Sequence, residues 1–446
     1  MLHKLALFLF ITTSVFSQEK PTQFSLVEAV EFALENNYKG LNAARDVEIA
    51  KLQKWQTTST GLPQIKAAIN YNNWLKQQVS LIPAEFFGGN PGQFAEITFG
   101  TKQTLNGTVT VSQKIFDGSY LVGLQAAKVF LEISENAKEK TEIELRKMVA
   151  YAYGNALLAE ENLKIINSNT RLLERNLEDL TKVYENGLID LESVQQLQLT
   201  LTSLKSNQSY IERLKKIAYQ MFNNTIGLEL NTGVELTDDL ERLIEIYTSL
   251  APLESILEAE NVIDYKIAFN DVKGKALLLK LEKSKALPTI EAFLNGGYAG
   301  NNDRFEFLEN SQQWFGSSMF GVSMKIPLFS SFGRSALTKK ARLNLEKSKS
   351  TLKDVSEKIR LEISRARSDY EFAVEDLAIK KEALTLSEQI AYKNEVKFFE
   401  GLTTSFELSQ AQRQLYTAQQ DYLQSMLNIL IKRIDLEALI NPPHNN

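Results

Sequence analysis

The chain has 446 residues, 43% of them hydrophobic and 24% charged, with a formal net charge of −5. That balance belongs to a folded protein and excludes a disordered or collagen-like chain; mild acidity with interspersed charges also gives no footprint for nucleic acid. Cysteine is absent and the only histidines are His3 and His444, so disulfides, a lipid-modified cysteine, Ser-His-Asp or Cys-His catalysis and the usual zinc sites are excluded from the body of the chain. Carboxylates remain, but they are scattered along helical faces and no pair is marked out for glycosidase-type chemistry. The chain reads as no enzyme, with no cofactor and no metal site.

Residues 1–17 read as a secretory signal: Lys4 supplies the charge, Leu5 to Phe16 an apolar stretch, and Val15-Phe16-Ser17 a cleavage site. The stretch is shorter than the roughly 20 apolar residues of a spanning helix. No later segment offers a comparable apolar run, so a mature protein that crosses a membrane must do so with strands closed into a barrel.

Beyond the signal, helical spacing runs through Leu26, Ala29, Val30, Ala33 and Leu34 and continues with Leu41, Ala44, Val47 and Ala50, up to Pro63. Strict alternation follows. Ile65, Ala67, Ile69 and Tyr71 face one way and Gln64, Lys66, Ala68, Asn70 and Asn72 the other, which predicts a strand at about 62–75. Leu105, Val109, Val111 and Ile115 alternate with polar residues and predict a second at about 104–116. Residues 76–103 between them read as a long loop with Gly, Pro and aromatics. After Gly118 the pattern stays helical almost to Gly187, roughly 65 residues or about 100 Å at 1.5 Å per residue. Heptad spacing then appears at Val194, Leu197, Leu201, Leu204 and Ile211.

The second half restates this order. Leu253, Ile256 and Leu257 open a helix that runs through Val272, Ala276 and Leu279 to Pro288. Strands are predicted at about 288–299, where Phe293 breaks the alternation of Ile290, Ala292 and Leu294, and at about 317–329, with a loop at 300–315 between them. Trp74, Phe86, Phe87, Trp314 and Phe315 lie in or beside the two loops, as interfacial aromatics or as loop packing. A proline-free helical stretch runs from Gly333 to Gly401, and Leu408, Ala411, Leu415, Ala418 and Tyr422 repeat the earlier heptad register 214 residues later. Short echoes keep the same order: Gly61 to Ile65 with Ala286 to Ile290, Val111 to Phe116 with Val322 to Phe329, and Tyr184-Glu185-Asn186-Gly187-Leu188 with Phe398-Phe399-Glu400-Gly401-Leu402. The expected organisation is a first repeat at 18–228, a linker or equatorial segment at 229–252, and a second repeat at 253–446.

The strand pattern alone also fits a soluble sheet on a core, and the heptads a soluble coiled coil. Read as membrane strands, four per chain fall short of the eight of the smallest barrels. Open edges are not tolerated in hydrocarbon, so several chains must pool their strands.

At the Tyr184–Leu188 and Phe398–Leu402 motifs the sequence resembles the hairpin tips of TolC-like outer-membrane efflux proteins. Lys114-Ile115-Phe116-Asp117-Gly118 and Pro327-Leu328-Phe329-Ser330-Ser331 resemble that family's strand-to-helix junctions, and Leu26 to Asn37 its opening helix. The resemblance implies a mostly α fold with membrane β: a homotrimer whose duplicated helix-strand-strand-helix-helix units build a 12-stranded β-barrel in the outer membrane, continued by a long α-helical barrel into the periplasm. It implies a passive export duct, served by an inner-membrane pump through a periplasmic adaptor. Tyr184, Gly187, Leu188, Phe398, Gly401 and Leu402 would meet the adaptor at the tips. Glu407 stands at an aperture position, whereas Gln410, Ser193 and Gln196 replace acids elsewhere in the pattern and Thr403 stands where an arginine can hold the gate. The rival reading is a periplasmic coiled-coil adaptor or scaffold, for which one hairpin flanked by compact β domains is expected. The exported substrate is not legible.

Overall fold

The computed structural model describes residues 22–249 and 259–440. The signal reading at 1–17, the opening residues Leu253, Ile256 and Leu257, and both histidines lie outside the described residues. In chain order, β1 (Gln23–Phe24), α1 (Leu26–Asn36) and α2 (Tyr38–Ser59) lead into β2 (Gln64–Asn73). A short hairpin of β3 (Val79–Pro83) and β4 (Phe94–Thr98) precedes β5 (Gln103–Asp117), followed by α3 (Gly118–Glu185) and α4 (Leu191–Ile226). Next come β6 (Glu235–Leu236) and α5 (Leu240–Ser249). The chain then forms α6 (Ile263–Ser284), β7 (Thr289–Asn302), β8 (Trp314–Lys325), α7 (Gly333–Phe399) and α8 (Ser405–Ile440).

Packing divides the protein into two compact units. One falls within Met1–Asn42, Glu139–Val262 and Ile359–Asn446; the other is built from Ala43–Lys138 and Ile263–Lys358.

The first unit is helical, and the larger of its two apolar clusters gathers around α1. Ser25 opens α1 with a capping box: its hydroxyl accepts from the Glu28 N–H, and the Ser25 N–H donates to the Glu28 carboxylate at 2.8 Å. Leu26, Ala29 and Ala33 then face inward on one helical stripe. The helical spacing read as one run is in fact interrupted at Asn37, whose backbone is extended and whose side-chain oxygen accepts from the Lys39 N–H at 2.7 Å to start α2. Tyr153 of α3 is fully buried among Phe24, Phe222 and Ile226, with its ring edge-on to Phe222. Its hydroxyl donates to the Asp238 carboxylate at 2.9 Å, and that carboxylate also accepts from the Leu26 N–H at 2.7 Å. The short parallel pairing of β1 with β6 is held there. Leu240, Leu243 and Ile244 of α5 complete the same core, as do Met426, Leu427, Ile429 and Leu430 of α8.

The second unit carries a four-stranded antiparallel sheet in the order β2-β5-β7-β8. The register sorts its side chains by character. Ile65, Val111, Leu294 and Phe320 fall in line on one face, and Gln64, Ser112, Phe293 and Gly321 on the other. Phe293, the exception to alternation, lies opposite Gly321, where a Cβ would sit 2.4 Å from the ring. The missing side chain makes room for the phenyl ring on the polar face.

Three expectations need correction. Residues 76–103 are not a plain loop: β3 and β4 pair antiparallel within them, with Val79 opposite Thr98 and Pro83 opposite Phe94. Ile115 does not continue the alternation of β5, because the register shifts between Lys114 and Phe116 and leaves it as the extra residue of a bulge. The later pair of strands also extends further toward the connecting loop than 288–299 and 317–329: Trp314 and Phe315 are in β8, and β8 stops at Lys325, two residues before Pro327.

Candidate functional site: the hairpin tips and the four-stranded sheet

Two places concentrate features that a core does not explain. The first is the pair of helix-helix turns in the helical unit. Helix α3 ends where Gly187 takes a left-handed φ of 71°, and α7 where Gly401 takes 73°. At each turn the chain closes the same double bond. Leu188 N–H donates to the Val183 carbonyl and Gly187 N–H to Tyr184; Leu402 N–H donates to Lys397 and Gly401 N–H to Phe398. These are Schellman caps, which need a residue tolerant of positive φ. A Cβ at either glycine would meet nothing within 4 Å, so backbone conformation and not space requires glycine.

The helices that leave these turns are capped by side chains. Asp190 accepts from the Ser193 N–H at 2.9 Å, and this bond draws its carboxyl below the usual range. Glu407 closes a capping box on α8: the Thr404 N–H donates to its Oε2 at 3.1 Å, and the Glu407 N–H donates to the Thr404 hydroxyl at 3.3 Å. The Thr403 hydroxyl also donates to the same carboxylate oxygen, and this bond is the largest cause of its lowered pKa. Glu407 is exposed, but one carboxylate oxygen is engaged by its own helix end. Gln410 is exposed one turn further on.

The two hairpins pack on each other near the turns. Leu180, Leu197, Leu201 and Leu204 form a buried cluster, and Phe398 packs against it from the second hairpin. Polar links cross between the hairpins at Thr200 with Ser409, 3.0 Å, and from the Asn176 amide to Glu395, 2.6 Å. Of the tip residues named from the sequence, Leu188 and Leu402 stand out most, 75% and 71% exposed. Phe398 is instead half-buried, and its neighbour Phe399 and Phe406 carry the exposed aromatic surface. The repeat motif marks two adjacent phenylalanines without saying which one turns outward.

The second place is the sheet. Its apolar face is uncovered: Ile69 is 80% exposed, Phe320 71% and Val322 60%. Among the described residues, both outer strands, β2 and β8, end the sheet with an unpaired edge. An isolated sheet in water buries such a face and protects such edges. Beside it, Tyr71, Phe305 and Phe307 form an edge-to-face aromatic cluster that fixes the connection after β7, and Lys102 N–H donates to Asp303 at 2.9 Å. No described helix is long and apolar enough to cross a membrane.

Helical hairpins in one unit and a sheet with an uncovered apolar face in the other are also the elements of the proteins that this chain is similar to. Residues 279–442 match the family model described as Outer membrane efflux protein. Over 421 residues the chain is 22% identical to outer membrane protein TolC of Vibrio cholerae serotype O1, covering 93% of this chain and 90% of that protein. Among solved structures, CusC superposes with a TM-score of 0.75 at 18% identity over 93% of this chain and 91% of that one. VceC of Vibrio cholerae gives 0.70 at 16% identity over 93% and 95%. The resemblance to TolC-like outer-membrane efflux proteins read from the short motifs is borne out by these matches.

Proposed function

We propose that the protein is the passive outer-membrane duct of a tripartite efflux or secretion system. The observation that carries this reading is the uncovered apolar face of the four-stranded sheet together with its two open edges. In lipid such a face is satisfied, but such edges are not. Three copies joined edge to edge supply 12 strands, and strands of 10, 15, 14 and 12 residues suffice for the roughly 9–11 that a tilted crossing needs. The matching order of helix, two strands and two helices in each half supports an origin by duplication, with each half contributing one strand pair and one hairpin.

The turns at Gly187 and Gly401 are the surfaces offered to a periplasmic adaptor, through which an inner-membrane pump delivers substrate. Exposed Leu188 and Leu402 with Phe399 and Phe406 give apolar contact, and Tyr184 borders it. Glu407 and Gln410 line the aperture, and Glu407 acts first as a helix cap. Transport of this kind requires no cofactor and no reaction at the duct.

Absence of native cysteine allows a direct test. Single cysteines placed along β2 are paired with single cysteines along β8, and whole cells are oxidised. The reading expects ladders of two and three linked chains on denaturing gels for pairs at one register. Absence of any inter-chain link along both edges contradicts it.

A further inference from the structure

We propose that Lys66 and Lys325 give the barrel lumen a cationic collar that favours anionic solutes over cationic ones. This deepens the reading above and rests on the polar face of the sheet lining the pore.

The four main strands contain five charged residues, Lys66, Lys114, Asp117, Glu291 and Lys325. The register puts all of them on the face of Gln64, Ser112 and Phe293, opposite the apolar one. They are also confined to the half of the sheet that leads to the helices, leaving Asn70, Asn106 and Thr108 as uncharged wall further along. Three of the five form one group with a net charge of −1: Lys114 lies directly opposite Glu291, and its Nζ is 3.9 Å from Asp117. The other two are lysines outside that group. Lys66 faces Thr110 and Lys325 faces Thr289; both side chains are exposed and neither has a salt bridge among the described residues.

The balance is three lysines against two carboxylates in each chain, a net charge of +1 on the wall between the level of Thr289, which Asp117 and Lys325 share, and the level of Asn295, which Lys66 shares. Enclosed by a low-dielectric wall, fixed charges of one sign focus their field into the pore and raise the local concentration of the opposite sign. The outer strands β2 and β8 carry Lys66 and Lys325, the two lysines outside the Lys114 group, so the collar falls at the seams between copies. An exported solute with a carboxylate, sulfate or phosphate group meets a favourable field there, and an organic cation an unfavourable one.

The test uses the cysteine-free full chain in intact cells. A single thiol is introduced on the polar face by Ser112→Cys, or on the apolar face by Val109→Cys. Each is treated from outside with an anionic or a cationic membrane-impermeant methanethiosulfonate, and rates are normalised to the same reagents with a free thiol in solution. Reaction of the Ser112→Cys protein and protection of the Val109→Cys protein are expected if the polar face lines the pore. The reverse pattern ends both the barrel reading and the collar. With a reactive Ser112→Cys protein, the anionic reagent is expected to be favoured by about tenfold, a preference that shrinks several-fold in Lys66→Gln, Lys325→Gln and the double variant. It is also expected to shrink in 1 M salt, where screening acts over about 3 Å, a readout that needs no further substitution. Equal normalised rates for both reagents, or a preference that survives neutralisation of both lysines, overturn the collar while leaving the barrel intact.

Discussion

The phenyl ring of Phe293 lies across from Gly321 on the polar face of the sheet, and a Cβ at Gly321 would come within 2.4 Å of it. An aromatic ring therefore occupies the place that a second side chain would fill, and a cross-strand relationship fixes the register of β7 against β8. Gly321→Val must displace the ring or separate the strands. An overpacking cost of about 1–3 kcal/mol is expected to lower the thermal midpoint of the assembled protein, measured by heating in detergent and scoring oligomer on gels. Phe293→Ala in the same background is expected to restore part of it.

At the second turn, the capping box predicts a separation between charge and structure. Glu407→Gln keeps a side chain able to close the box, so the α8 end is expected to stay protected in amide exchange, whereas Thr404→Ala loses the cap at about 1 kcal/mol and frays it. The Glu407 carboxyl is lowered from the free value of 4.5 by its hydrogen bonds, first from the Thr403 hydroxyl. A lowered pKa contributes stability that is present above 4.5 and lost as the pH falls through the lower folded value. Exchange at the Glu407 amide is therefore expected to quicken, relative to a remote helix, only below that range, and to show no such step in the Gln variant.

Gly187 and Gly401 separate conformation from bulk. Since a Cβ there meets open space, an L-residue is disfavoured by its left-handed backbone, at roughly 1–2 kcal/mol. Gly187→Leu and Gly401→Leu are expected to abolish export, read as loss of resistance to an exported toxic compound, while oligomer yield stays normal. Asn, which tolerates this conformation, is expected to retain more activity than Leu at both positions.

Adaptor docking at the turns predicts where a photo-reactive amino acid captures a partner. Placed at Leu188 or Leu402, the probe is expected to link to a periplasmic protein in living cells. At Phe398, half-buried against the tip core, it is expected to link back to its own chain. Capture only within the chain at all three positions contradicts docking there.

Much of this arrangement was legible in local pattern. Alternation at Ile65, Ala67, Ile69 and Tyr71 marks a strand because a sheet with one apolar face imposes period two, and β2 runs Gln64–Asn73. Proline-free helical spacing marks α3 and α7, which run unbroken through 68 and 67 residues. What local pattern does not carry is pairing between distant segments. The Phe293–Gly321 relationship depends on a register set by whole strands, so Phe293 reads only as an exception. Strands β3 and β4 have five residues each, too few for alternation to stand out from the glycines of the turn between them. The Thr404-x-x-Glu407 box was a readable signature of a helix start, although position within a family motif directs attention to a gate instead.

The most direct test of the account is the mass of the detergent-purified protein together with single-particle images. Three copies per particle, enclosing a continuous hollow, is the result expected. A single chain that stays dispersed in water without detergent contradicts the account, because its uncovered sheet face would then need neither lipid nor partner.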